Sequence, residues 1–356
     1  MIIFQCLLFF LLYPLSSVLF IKMESNDSGQ LLSRHATRYL QGFAAASVVL
    51  GHYVFRLEER GCLLKHFNLI SAIGTVSVGV LFFVSGYGIF ESHKLKKQEV
   101  RYLISKIAHL IIPYWIVGTI GILFDIIVVK EKLPVIYIFL YILGIKNLFW
   151  FIWILLGLYI IVFLISQFKI SDEKKIIIFI VIILVSGVFM YFLGLQPFWF
   201  RNNIFFAIGM IVSLREKDII PVVRKKYFLI LIATFLILVA SVGIYLINCE
   251  LLKILATGLM ASGIITVFVV AFQFFSPPKY NFMYFLGNKS IYIYLLHTKF
   301  YEILEHFIEM DSVIANIVYF IGLIGLVIVF FYADRMIRKG VNGIKNPKRI
   351  NNHEHK

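Results

Sequence analysis

A chain of 356 residues with 61% hydrophobic and only 15% charged residues is too apolar for a soluble globular domain, which carries about 25% charged residues. A net charge of +15 invites a nucleic-acid reading. The Lys and Arg residues gather in alternate loops, however, which is the mark of membrane topology and leaves no nucleic acid to invoke.

Residues 1–21 form the first apolar run. They lack the basic start and small-residue cleavage site of a signal peptide. Met23 follows at once, ahead of the polar "ESNDSGQ". Either translation starts there, or residues 1–21 form a further helix with its N-terminus outside. Ten runs of spanning length follow, at about 39–57, 68–91, 107–129, 147–168, 174–194, 198–214, 227–247, 252–275, 287–309 and 313–333. They are continuous rather than alternating, so they predict helices and not a β-barrel. The apolar piece Pro134–Leu143 is too short to cross and reads as interfacial or re-entrant. The tail "NPKRINNHEHK" is polar and reads as disordered, its two His as tail composition. Cys6, Cys62 and Cys249 have no paired spacing, so no metal site or disulfide scaffold is expected.

The expected fold is an all-α polytopic membrane helix bundle of about ten transmembrane helices, plus one more if residues 1–21 span. Residues 1–37 form an apolar segment and cytoplasmic linker, 38–335 one membrane domain, and 336–356 a polar cytoplasmic tail. The stretches 22–38, 94–106, 169–175, 215–226, 279–289 and 335–356 hold 25 of the 34 Lys and Arg. The intervening stretches hold eight, and Lys299 lies within a span. That bias puts both flanks of the bundle in the cytoplasm.

Ionisable groups inside spans are functional candidates by default. In "AAASVVLGHYVF", Ala44–Phe55, His52 interrupts an apolar helix. If that helix leaves the membrane near Arg56, His52 lies roughly 6 Å below the outer surface. It is either a packing His that donates to a carbonyl or a general base. An imidazole with a pKa of about 6.5 takes a proton from a hydroxyl at neutral pH. Asp125, in "GILFDIIVVK", ends the third span at the same depth. It either orients His52, as in a triad, or is a helix-end carboxylate facing headgroups or Lys130. His297, in "SIYIYLLHTKF", lies roughly 12 Å into its span. It is a second catalytic or orienting group, or a structural donor. Glu302, Glu305, His306 and Glu309 share one helical face. They suit sugar hydroxyls or a cation, and a solvated helix end explains them without any ligand. On the cytoplasmic side, Lys94, Lys96, Lys97, Arg101, Lys106 and His109 suit a phosphate. Positive-inside anchoring also explains their charge. Gly79, Ser85, Gly86 and Gly88 let helices approach closely, or leave room for a slender ligand.

Several stretches in order resemble the membrane acyltransferase-3 family: "YLQGFAAASVVLGHYVF", "SVGVLFFVSGYGIF", "KIAHLIIPYW", "LFWFIWILLGLY", "RNNIFFAIGMIVS" and "LGNKSIYIYLLH". The resemblance covers about residues 38–335. Two positions depart from the family pattern. Gln41 stands where the family has Arg, with Arg38 one helical turn earlier. The family's R-x-x-R appears only as Lys106 and His109, and Lys does not grip phosphate bidentately as Arg does.

The resemblance implies an integral membrane O-acyltransferase in a bacterial cytoplasmic membrane. It would move an acyl group, typically acetyl, from cytoplasmic acyl-CoA to a hydroxyl of a surface polysaccharide or glycolipid. Acetyl-CoA is then a co-substrate, with no bound cofactor, and polysaccharide synthesis machinery is a partner. Catalysis falls to His52, Asp125 and His297, and donor binding to Arg38, Gln41, Ser85, Arg101, Lys106 and His109. Acceptor binding falls to Trp150, Arg201, Glu302 and Glu305. The competing class is a secondary transporter or a flippase of a lipid-linked sugar. That class favours paired repeats with broken helices in corresponding halves, which the sequence does not clearly show. An inactive scaffold in a polysaccharide synthesis complex is the third reading, motivated by Gln41 and the weakened basic motif.

Overall fold

The computed structural model describes residues 29–61, 68–93, 99–142, 149–247, 249–277, 281–310 and 312–345. The apolar run 1–21, Lys94, Lys96, Lys97, Cys6, Cys62 and the tail from 346 lie outside the described residues. All regular structure among them is helical, as the continuous apolar runs predict. The helices are α1 Arg34–Glu59, α2 Asn68–His93, α3 Val100–Ile127, α4 Val135–Ile142, α5 Trp150–Ser166 and α6 Asp172–Phe192. They continue with α7 Ile204–Leu214, α8 Glu216–Tyr245, α9 Glu250–Phe274, α10 Phe282–Asn288, α11 Ser290–Phe307 and α12 Val313–Lys345. Among the described residues, six stretches are long and apolar enough to cross a membrane: Ala72–Ser92 of α2, α3, α6, α8, α9 and Val313–Met336 of α12. The chain is therefore a multi-pass membrane protein.

The differences from the sequence expectation have local causes. The run 227–247 is the second part of α8, whose backbone breaks from helical geometry at Lys226 where charge gives way to apolar sequence. The run 287–309 divides at Lys289 into α10 and α11. Pro134–Leu143 yields only the eight-residue α4, in keeping with its length. The run 198–214 is a broken span. A 3₁₀ turn at Pro197–Trp199 leads through irregular chain into α7, which is only 11 residues long.

Two compact units emerge, Met1–Ile107 with Leu148–Ser290, and Ala108–Asn147 with Ile291–Lys356. In the first, α1 packs along the deeply buried α2, with more than half of its own residues buried. Ser33 caps it by accepting from the Ala36 N–H at 3.2 Å. The chain entering α1 is strapped down. The Glu216 carboxylate accepts from the Leu31 N–H at 2.9 Å and from the Tyr87 hydroxyl at 2.6 Å. Tyr87 in turn accepts from the Leu32 N–H, and Gln273 donates to the Leu31 carbonyl at 2.8 Å. This network joins the start of α1, the end of α2, the start of α8 and the end of α9. These are the four ends that the charge bias assigns to the cytoplasm.

Glycines set the helix spacing. A Cβ at Gly86 would collide with the Phe206 carbonyl, and one at Gly209 with the Phe83 carbonyl. The α2–α7 crossing is thus backbone against backbone, as small residues permit in lipid. At the α1–α10 crossing, Cβ atoms at Gly42 and Gly287 would strike the Met283 and Arg38 carbonyls. Gly88, one turn-face away on α2, has open space around it. Gly86→Ala is therefore expected to destabilise the protein by about 1–3 kcal/mol through overpacking. Gly88→Ala is expected to leave stability unchanged or slightly raised. Thermal unfolding in detergent compares the two.

Candidate functional site

At the end of the first unit that the charge bias assigns to the cytoplasm, four helices direct polar groups inward. Arg38 on α1 donates from Nη1 to Gln41 Oε1 at 2.8 Å. Gln41 thus positions the guanidinium from the next turn of the same helix. Lys106 on α3 lies over two aromatic rings, Tyr102 at 5.2 Å and Tyr159 at 5.8 Å. The Tyr159 hydroxyl on α5 is hydrogen-bonded with Ser85 on α2 and lies within electrostatic reach of Arg38. All of these side chains except Ser85 are long, and all are half-buried. The result is two cations, Arg38 and Lys106, gathered with the hydroxyls of Ser85 and Tyr159 and the phenol of Tyr102. Of the donor-side candidates, Arg38, Gln41, Ser85 and Lys106 come together here. Arg101 is exposed to solvent, and His109 is exposed and belongs to the second unit. Tyr102 and Tyr159 were missed. Their only signal was a phenol, inside an apolar run for Tyr159 and among basic residues for Tyr102.

The opposite end of the first unit carries His52. Its side chain is exposed, while its helix neighbours Gly51 and Tyr53 are buried. Gly51 meets α2 closely, since a Cβ at Gly74 would lie 3.4 Å from the Gly51 Cα. The next residue on α2, Thr75, is the anchor of the broken span. Arg201 Nη2 donates to Thr75 Oγ1 at 2.9 Å, and Asn202 Nδ2 donates to the Thr75 carbonyl at 3.1 Å. Tyr245 and Glu250 lie within electrostatic reach of Arg201, and Glu58 within reach of Tyr245. The end of α1, the start of α2, the end of α8 and the start of α9 therefore meet here, opposite the strap. Trp150, at the start of α5, packs against Phe198 at 5.2 Å and Trp199 at 6.3 Å.

In the second unit, Lys299 on α11 donates to both Asp125 oxygens, at 2.7 and 2.9 Å, and lies 3.3 Å from Glu302. Asp125 and Glu302 are thus members of one ion-pair cluster around a cation that the sequence marked only as a charge within a span. Glu305 is half-buried, and His306 and Glu309 are exposed. His297 is buried, with Nδ1 2.7 Å from the Tyr294 carbonyl and 3.1 Å from the Ile293 carbonyl. A nitrogen facing carbonyl oxygens must carry a proton, so Nδ1 is a donor. The Tyr319 hydroxyl donates to the His297 carbonyl.

A family model described as an acyltransferase domain matches residues 34–334. That span begins at the first residue of α1 and takes in every helix through the membrane part of α12. No curated protein and no solved structure matches the chain.

Proposed function

The chain belongs to the membrane acyltransferase-3 family and is an acyltransferase; we propose that it transfers an acetyl group from cytoplasmic acetyl-CoA to a hydroxyl of a surface polysaccharide or glycolipid, in a bacterial cytoplasmic membrane. The observation that carries this reading is the division of labour along α1. Arg38, in the cation–hydroxyl cluster, and His52, beside the Thr75–Arg201 anchor, lie 14 residues apart on one helix, roughly 21 Å. Anionic phosphates of the donor suit the cytoplasmic cluster, where Arg38 and Lys106 supply charge and Tyr159 and Ser85 supply hydroxyls. The thioester arm then runs along α1 toward His52.

In the transfer step, His52 takes the proton of the acceptor hydroxyl as its oxygen attacks the thioester carbonyl. The C–S bond breaks, an ester forms, and the CoA thiolate recovers a proton from the imidazolium. The packed helices keep water away from the thioester and so limit hydrolysis.

The test uses the purified protein in lipid vesicles, with labelled acetyl-CoA and alkali-deacetylated envelope polysaccharide. Label is expected in the polymer. Label that stays in acetyl-CoA, or leaves only as free acetate, defeats the proposal. Lys106→Met removes one charged donor contact, worth about 1.5–3 kcal/mol. It should therefore raise KM for acetyl-CoA about tenfold or more. Arg101→Gln, at an exposed position, should leave it unchanged.

A further inference from the structure

The broken span carries an arrangement that membrane helices do not need. α7 ends at the cytoplasmic side next to Arg215, and its 11 residues rise roughly 16 Å, about half of the hydrocarbon core. Arg201, Asn202 and Asn203 thus sit on irregular chain within the outer half. Irregular backbone at that depth is tolerated only where it is packed in protein or lines a watery cavity. Its own amides are served locally: Arg201 N–H donates to the Pro197 carbonyl and Asn203 N–H to the Phe200 carbonyl.

Two side-chain groups are not served. Asn203 is 3% exposed. Its Nδ2 donates to the Trp199 carbonyl at 3.1 Å, which fixes the amide orientation. Its Oδ1 is then buried with no donor among the described residues. Arg201 is tied to Thr75 through Nη2, and its Nε–H is buried with no acceptor among the described residues. Buried polar atoms of this kind ask for a partner. One is an acceptor and the other a donor, which is the complement of a hydroxyl pair. Beside them stand the half-buried rings of Trp150, Phe198 and Trp199, the last two stacked at 26°. An aromatic face is electron-rich and attracts the weakly positive C–H face of a pyranose.

We propose that Trp150, Phe198, Trp199, Arg201 and Asn203 form a sugar-ring subsite that holds the acceptor. The ring stacks on the aromatic platform, and two of its hydroxyls bond Arg201 Nε–H and Asn203 Oδ1. Thr75 links this subsite to His52, because it follows Gly74, which packs on Gly51. The acceptor hydroxyl is thereby presented at the level of the imidazole. The inference rests on the acyltransferase reading above and adds where and how a carbohydrate is recognised.

The test measures initial rates for the vesicle-bound full chain against deacetylated envelope polysaccharide, and in parallel KM for acetyl-CoA. Trp199→Ala and Arg201→Gln should each raise KM for the polysaccharide about three- to tenfold, the size of one lost aromatic or polar contact. KM for acetyl-CoA should not move, and Trp199→Phe should recover much of the loss. Should Trp199→Ala aggregate, Trp150→Leu removes another of the three rings of the platform from a different helix. An unchanged polysaccharide KM, or an equal loss on the acetyl-CoA side, overturns the subsite and makes the cluster structural. Unaltered protein that acetylates only a non-carbohydrate acceptor overturns the subsite alone. Unaltered protein that transfers no acetyl to any acceptor removes the reading beneath it as well.

Discussion

His52→Ala is expected to lower acyl transfer by about 10²–10⁴-fold, the usual contribution of general-base catalysis, while the protein still folds. The two halves of that expectation have separate grounds. The packing of this part of α1 is done by Gly51, Tyr53 and Val54, all buried, whereas the His52 side chain is exposed. Truncating it therefore opens no cavity, and stability should change by no more than about 0.5 kcal/mol. Within the apolar run, few groups can accept a proton. Removing the imidazole leaves the acceptor hydroxyl to attack unassisted. His52→Gln sharpens the point, since Gln keeps hydrogen-bonding capacity but cannot take up a proton at neutral pH. Both variants should show equally low initial rates with labelled acetyl-CoA and near-wild-type melting. A well-folded His52→Gln protein with normal rates would mean that the imidazole only orients, and the proton would then need another destination.

Much of this molecule could be read from its sequence because lipid is a strict solvent. Backbone groups in hydrocarbon must be satisfied within the segment, so a long continuous apolar run can only be a helix. The charge bias likewise anticipated which helix ends meet, and the Glu216–Tyr87–Leu31 strap and the Arg201–Thr75 anchor gather those ends as the bias requires. Individual polar contacts were less legible. The pairing of Arg38 with Gln41 follows from helical spacing, three residues apart. The convergence of Lys106, Tyr159 and Ser85 from three helices does not, because nothing local encodes which helices are neighbours. The broken span was hidden for a related reason. "QPFWFRNN" is apolar enough to extend the run that follows, and only Pro197 and the adjacent polar triplet Arg201–Asn203 hinted that the helix starts late. Lys299 was visible as a charge within a span, yet its partner 174 residues away was not.

Lys299→Met is expected to destabilise the second unit by about 3–5 kcal/mol. Lys299 Nζ contacts both oxygens of Asp125 and also Glu302, and its side chain is 11% exposed against 24% for Asp125. The fold makes room for it: a Cβ at Gly121, one turn before Asp125, would lie 3.0 Å from the Lys299 Cε. Methionine fills nearly the same volume but strands a half-buried carboxylate without its cation. That stranded charge, rather than the lost attraction, is the source of the penalty. The pair can be removed together without it. Lys299→Met combined with Asp125→Asn should regain more than half of the lost stability, a coupling of about 1.5–3 kcal/mol between the two sites. Melting of the four proteins in one detergent completes the cycle. Additive losses would show that Glu302 or solvent, not Asp125, compensates Lys299. Because the double variant is expected to be stable, its transfer rate then separates the two roles open to Asp125. A stable, fast enzyme confines that carboxylate to the ion pair, and a stable, slow one gives it a share in catalysis that the single variants, already destabilised, could not reveal.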